Sequence, residues 1–290
     1  MSLRPLEILI WDVNHGNSTS ICLPNGKTIM LDCAANPVTG FSPIWRTRER
    51  WKGLDYLIIS HPHMDHISDI MNIEHLKPHI LQRPRINHQR LLEDKEDVYK
   101  DIIDYYIDFE SGYNQPIPDH QNPSSTNWSG DVKIETFSLN GEQSDLNDYS
   151  IVTFLSYGGF TFAYAGDLTS NGWERLIEQE GVKFTNLLKR TNFFEVSHHG
   201  RKEGYNPIIF DYMTDMKLGF VSDKHEQTTS VTSSYSQFCK GWRVDNEVTG
   251  EHMDERKVLT TRADGRIKIT VDIKPDATEV GVSTLDHTLL

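Results

Sequence analysis

Long apolar runs are missing from this 290-residue chain, and nothing in it approaches the roughly 18 to 20 consecutive apolar residues that a membrane helix needs. Cysteine is scarce too. Cys22, Cys33 and Cys239 make an odd set without a Cys-x-x-Cys pair, which argues against a disulfide framework and against a thiolate zinc site. They read as small buried hydrophobes. Positive charge is also short: 29 Lys and Arg stand against 42 Asp and Glu, a formal net charge of −13, which disfavours a broad basic face for coating nucleic acid. Met1-Ser2-Leu3-Arg4 runs straight into a strand-like pattern without a signal peptide, so the expected setting is the cytoplasm, away from membranes.

What is present suffices for a real core, at 37% hydrophobic content. The sequence predicts strands over 6–13, 19–23 and 27–32, the last two joined at Pro24-Asn25-Gly26, whose Asn-Gly pair is a hairpin signal. A buried strand over 54–60 follows. From Asp65 onward Ile67, Ile70, Met71 and Leu76 fall on helical spacing, with Pro78 just past the end. Residues 91–110 read as an acidic amphipathic helix and 111–130 as a Pro-, Asn- and Ser-rich loop, together an insertion over about 88–130. The second half predicts strands over 132–139, 149–157 and 160–165, a helix over 173–180, strands over 192–197 and 216–222, a helix near 230–240, and strands over 257–261 and 266–273. A single domain over 1–274 with a polar tail over 275–290 is the expected organisation.

One stretch stands out against this background: His61-Pro62-His63-Met64-Asp65-His66, directly after the run Leu57-Ile58-Ile59-Ser60. Three imidazoles and a carboxylate in six residues are hard to justify as packing, because such groups are costly to bury without partners. A divalent metal resolves this by taking neutral imidazole nitrogen and ionised carboxylate oxygen together. His61 and His63 are two residues apart, so in extended backbone both rings point to one side. Two more predicted strands end in similar groups, at Gly166-Asp167 and at His198-His199-Gly200. Taken singly, a Gly-Asp is more often a turn and a His-His pair more often structural. His75 and His79 read as surface or packing residues.

The order His-x-His-x-Asp-His, then Asp, then His, each at a strand end, resembles the metallo-β-lactamase superfamily. Asp12 to Ser18, Leu31-Asp32-Cys33, Asn147-Asp148-Tyr149-Ser150, Ala165-Gly166-Asp167, Ser197-His198-His199-Gly200 and Thr260 to Gly265 resemble successive motifs of the soluble metallohydrolase domain of ComEC competence proteins. That resemblance implies an α/β fold, a four-layer αββα sandwich with two mixed sheets face to face. It implies two divalent metal ions, with Zn2+ first and Mn2+ or Fe2+ as alternatives. His61 and His63 would hold the first ion, Asp65 and His66 the second, Asp167 would bridge, and His198, directly after its strand, would complete the second site in preference to His199. Asn147 stands where many relatives carry a third histidine, so Asn147, Asp148 or water would finish the first site. Asp32 would orient a ligand histidine from behind. Arg201 and Lys202 stand where the family usually has Ser, and Asn14-His15 where it has Gly. Asp65 and His225 are the candidate catalytic residues, His225 as a general acid or phosphate contact.

Two such ions lower the pKa of a water between them, and the expected chemistry is hydrolysis of a phosphodiester, in a nucleic acid or a nucleotide-like partner. A carbonyl substrate (lactone, thioester or β-lactam) and a non-catalytic metal-binding module are the alternatives. Arg201, Lys202 and Lys224 near the metals would favour phosphate; an apolar groove would favour acyl groups.

Overall fold

The computed structural model describes residues 4–93, 99–224, 228–252 and 255–285. In chain order its strands are β1 (Leu6–Ile10), β2 (Thr19–Cys22), β3 (Thr28–Leu31), β4 (Leu54–Ile58), β5 (Pro78–Gln82), β6 (Lys133–Phe137), β7 (Val152–Tyr157), β8 (Phe160–Tyr164), β9 (Phe193–Glu195), β10 (Leu218–Val221), β11 (Asp245–Asn246), β12 (Val258–Thr260), β13 (Arg266–Ile273) and β14 (Thr278–Leu285). They form an eight-stranded sheet, β11-β14-β13-β1-β2-β3-β4-β5, and a six-stranded sheet, β12-β10-β9-β8-β7-β6. Both sheets are mixed. β1, β2 and β3 pair antiparallel and β3, β4 and β5 parallel, while β6, β7 and β8 pair antiparallel and β8, β9 and β10 parallel.

Local chemistry accounts for the turns. At Pro24-Asn25-Gly26, Leu23 N–H donates to the Lys27 carbonyl at 2.8 Å while Gly26 takes φ +87°. The β7–β8 turn needs two consecutive left-handed residues, and Gly158 and Gly159 supply φ +57° and +85°. Side chains alternate across each strand, so each sheet offers two apolar faces. Between the sheets, Ile8, Ile10, Ile29 and Ile58 pack on Leu155, Phe162, Phe193 and Phe220. A second cluster lies under the helix Ser170–Arg190, where Trp173, Leu176 and Phe184 cover Phe154, Ala163 and Phe194. A third buries Met30, Leu57 and Ile59 beneath Ile70, Ile73, Ile103 and Tyr106. Helix, sheet, sheet and helix thus stack as four layers, the expected αββα arrangement.

Several boundaries differ from the sequence reading. The single helix expected after Asp65 is one turn, Met64–Ile67, followed by a 3-10 segment, Ile70–Leu76. Pro78 does not merely stop a helix; it opens the edge strand β5, where its missing N–H costs no ladder bond. The 91–110 helix lies partly outside the described residues, and the helices His88–Glu93 and Lys100–Ser111 flank that gap. The helix expected over 173–180 runs from Ser170 to Arg190, with its break at Gly181, φ +55°. The stretch from Pro275, expected as a polar tail, instead contributes β14. Its period-two pattern Val280, Val282, Thr284 turns one side inward, and Lys274 N–H donates to the Ala277 carbonyl to reverse the chain. His75 and His79 are exposed, as expected. No helix among the described residues is long and apolar enough to cross a membrane.

Candidate metal centre

The polar groups gather at one end of the sandwich, where β1, β3, β4, β8, β9 and β10 all finish. Close approach of the two sheets there depends on glycine. A Cβ on Gly166, which has φ +54°, would lie 2.7 Å from Ser60 Cβ. A Cβ on Gly16 would lie 2.5 Å from the Asp65 carbonyl oxygen, to which Asn17 N–H donates at 2.9 Å. Four non-glycine residues among those described have positive φ: Asn14, Asp32, His198 and His199. All four lie at this end, and each left-handed residue of this kind costs about 1–3 kcal/mol that the surrounding structure must offset.

Asp65, His66, Asp167 and His199 bring one ligand atom each to within 4.8 Å of one another. His66 Nε2 is 3.2 Å from Asp167 Oδ1, and His199 Nε2 is 3.2 Å from Asp65 Oδ2 and 3.4 Å from Asp167 Oδ2. Both rings are held from behind. Asp32 lies 2.6 Å from His66 Nδ1 and also accepts from Ser60 N–H, Ser60 Oγ–H and the Tyr164 hydroxyl, while His199 Nδ1 is 2.8 Å from the Ser222 carbonyl. The position expected for Asp32, behind a histidine of the motif, is therefore where the chain places it. Such backing fixes the tautomer, so that Nε2 faces the cluster.

On the other side, His61 Nε2 and His63 Nδ1 approach to 3.0 Å, and Asn147 Oδ1 is buried without a hydrogen-bond partner. His61 Nδ1 is 3.2 Å from Ser60 Oγ and 3.4 Å from Ser150 Oγ, and Ser150 Oγ accepts from Asp167 N–H. Asp148, the alternative donor next along the chain, is occupied elsewhere. It accepts from the Thr169 hydroxyl at 2.6 Å and from Arg175 at 3.3 Å, securing the start of the helix Ser170–Arg190. His198 stands further out, with Nε2 3.8 Å from Asp167, so the four-atom cluster takes His199 rather than the residue directly after the strand. A strand-end position was the sequence signal for choosing between them, and both residues have left-handed backbone. His225 lies outside the described residues.

Protonation follows the same geometry. Burial, then the neighbouring His66 and His63, push the His61 pKa well below its ordinary value, and burial likewise lowers that of His63. His199 behaves oppositely: burial acts to lower it, but Asp167 and Asp65 outweigh burial and bring it up to about 10. For Asp65 and Asp167 burial is outweighed by the facing imidazoles, and both carboxyls are held below the usual range. These carboxylates thus call for positive charge beside them, which protonated imidazole or a cation can supply. The donor set fits divalent cations. Three of its buried atoms, His66 Nε2, Asp167 Oδ1 and His199 Nε2, make no hydrogen bond of acceptable geometry, as a ligand atom facing an ion would not.

The sequence profile described as "Metallo-beta-lactamase superfamily" matches residues 11–208, more than half the chain and all of this cluster. The chain belongs to the metallo-beta-lactamase superfamily. Over 65 residues it is 34% identical to a "UPF0173 metal-dependent hydrolase" of Roseiflexus sp. (strain RS-1), a match covering 22% of this chain and 26% of that protein. Among solved structures it resembles a long form RNase Z from yeast, with TM-score 0.40, 11% identity, 77% of this chain covered and 38% of that one. The chain thus spans well under two thirds of either relative.

His15, which no metal-type motif marks in the sequence, also joins this superfamily site. Its Nε2 lies 3.2 Å from Asp65 Oδ2 and its Nδ1 3.3 Å from Asp223 Oδ1, and its ring centroid is 4.4 Å from that of His199. Arg201 Nη2 sits 3.3 Å from the same imidazole. The available signal was a fourth strand end with polar residues, Asn14-His15-Gly16-Asn17 after β1. Of the three cations expected near the metals, Arg201 reaches the cluster's flank, Lys224 follows Asp223, and Lys202 is exposed.

Proposed function

We propose that this chain is a metal-dependent hydrolase and that its substrates are phosphodiesters, in a nucleic acid or in a smaller nucleotide-like molecule. His61 and His63, with Asn147 Oδ1 as the neutral third donor, would hold one divalent ion. Asp65, His66 and His199 would hold the other, and Asp167 would be shared. Imidazole and carboxylate donors suit zinc, manganese or iron. Bound ions supply Lewis acidity and a water deprotonated near neutral pH. The protein's part is to fix the ligands from behind through Asp32, Ser60, Ser150 and Ser222, and to present charge to the substrate.

The observation that carries the phosphodiester reading is Arg201, whose guanidinium lies against His15 and 3.9 Å from Asp223 on the flank of Asp65 and His199. A planar cation there matches phosphate oxygens and has no counterpart in a neutral lactone or thioester. The ComEC-like order of motifs points to the same class. The reading includes a cytoplasmic setting, which suits the three free thiols. The test is turnover by metal-loaded protein of single-stranded DNA, RNA and bis(4-nitrophenyl) phosphate, beside a thioester, a lactone and a β-lactam, with Asp65→Ala as control. Phosphodiester turnover lost in the control is expected. Turnover of a carbonyl substrate alone, or none with any of the three metals, would overturn it.

A further inference from the structure

Beside the metal-type cluster lies a cavity of about 540 Å³, within the roughly 300–1,000 Å³ of small-molecule sites. Its position is set by sequence neighbours of the flank just described: Asn14 precedes His15, Lys224 follows Asp223, and both line it. His15 and Asp223, paired on the flank of the cluster, are thus each one residue along the chain from a residue that lines this cavity. The opposite wall is the turn Asn36 to Phe41, held by Asn36 Oδ1 accepting from Val38 and Thr39 N–H at 3.0 and 3.1 Å. A larger cavity of about 700 Å³, lined by His79, Tyr105 and Tyr113 among others, has in its lining no chain neighbour of the cluster or of its flank.

The chemistry of the lining is specific. Lys224 and Arg262 set two cations against one carboxylate, Asp12, in a protein whose net charge is −13. Lys224 is exposed, and its ammonium makes no ion pair among the described residues. Phe41 gives an aromatic surface, steadied from beneath by Trp11 at a ring-centroid distance of 5.7 Å. A cation and an aromatic surface in one cavity are what a phosphate joined to a flat heterocycle requires.

We infer that this cavity binds the nucleotide unit next to the scissile bond, with the phosphate toward Lys224 and the base against Phe41, so that a mononucleotide is the smallest recognised part of the substrate. The inference rests on the phosphodiester reading above and narrows it to substrates carrying a base at that position. Asn14 and Lys224, each next in the chain to a residue on the cluster's flank, would then join recognition to reaction.

The experiment is calorimetric titration of the full chain, metal-loaded and chelator-treated, with each of the four ribonucleoside 5′-monophosphates, ribose 5-phosphate and inorganic phosphate. The expected result is that a nucleotide binds at least ten-fold tighter than ribose 5-phosphate in both states of the protein. Lys224→Gln should weaken nucleotide and ribose 5-phosphate alike by about ten-fold. Phe41→Leu, which keeps apolar bulk against Trp11, should weaken the nucleotide alone. Equal binding of nucleotide and inorganic phosphate, or nucleotide binding unchanged in folded Lys224→Gln, would overturn the inference. If bis(4-nitrophenyl) phosphate is turned over by wild type while nucleotides fail to bind, the cavity assignment falls and the hydrolase reading stands. Absence of phosphodiester turnover with nucleotide still bound would remove the hydrolase reading alone.

Discussion

Glu195 offers a sharp test of the buried polar network between the sheets, and one that depends on no functional assignment. It sits on β9, fully enclosed, with Oε2 accepting from the Thr19 hydroxyl at 3.0 Å and Oε1 without a partner. Burial, with Asp32 adding to it against Thr19, His199 and His66, pushes its pKa from an ordinary 4.5 up to about 8. The native chain therefore binds a proton that the unfolded chain releases between those two values. Where the native state binds more protons, stability falls as pH rises, here from about 4.5 to about 8, and levels off beyond. At about 1.4 kcal/mol per unit, the loss across that window is roughly 4–5 kcal/mol, of which roughly 3 has accumulated by pH 7. Glu195→Gln keeps the shape and never ionises. Urea unfolding of chelator-treated wild type and variant at pH 5, 6, 7 and 8 should give a stability difference that moves toward the variant by several kcal/mol from the first pH to the last. The slope of that difference carries the test, not its absolute size. A difference constant with pH would mean that Glu195 keeps its ordinary pKa and that the network around it is wetter than the geometry implies.

Other perturbations probe the centre itself. His199→Ala should lower bound metal by about one equivalent in elemental analysis, whereas His198→Ala should retain most of it; the reverse ranking would return the ligand role to His198. Asp148→Ala removes the contacts to Thr169 and Arg175, so it should cost roughly 1–3 kcal/mol in urea unfolding with metal content intact. Loss of an ion from that variant would restore Asp148 as a ligand. Gly16→Ala places a Cβ 2.5 Å from the Asp65 carbonyl oxygen at φ +143°, and should lower both the melting temperature and the affinity for metal in competition with a chromogenic chelator. An unchanged affinity would mean that the Gly16 turn does not set the position of Asp65.

Much of the architecture was readable from alternation and turns, because strands such as β4 and β8 are largely apolar and glycines, Gly53 before β4 and Gly159 and Gly166 around β8, mark their bounds. What escaped depends on contacts distant in sequence. β5 is hidden by its leading proline, and β14 carries too little apolar character to register until β13 supplies its partner. The 61–66 motif signals itself by composition alone, and Asp167 by the glycine before it. That His199 and not His198 enters the four-atom cluster could not be read from two adjacent histidines of the same composition. His15 and Asp223 are 208 positions apart and carry no mark of their pairing.

The metal-type cluster also bears on how the chain assembles. Asp65 and His66 follow β4 of one sheet, whereas Asp167 and His199 follow β8 and β9 of the other, more than a hundred residues later. An ion held by all four would act as a rivet between layers that otherwise meet through apolar side chains and a few buried hydrogen bonds such as Thr19 to Glu195 and Tyr164 to Asp32. During synthesis the first half emerges with its histidines close together and its carboxylates only half supplied. The ligand set for such an ion would therefore be complete only once the second sheet has docked on the first.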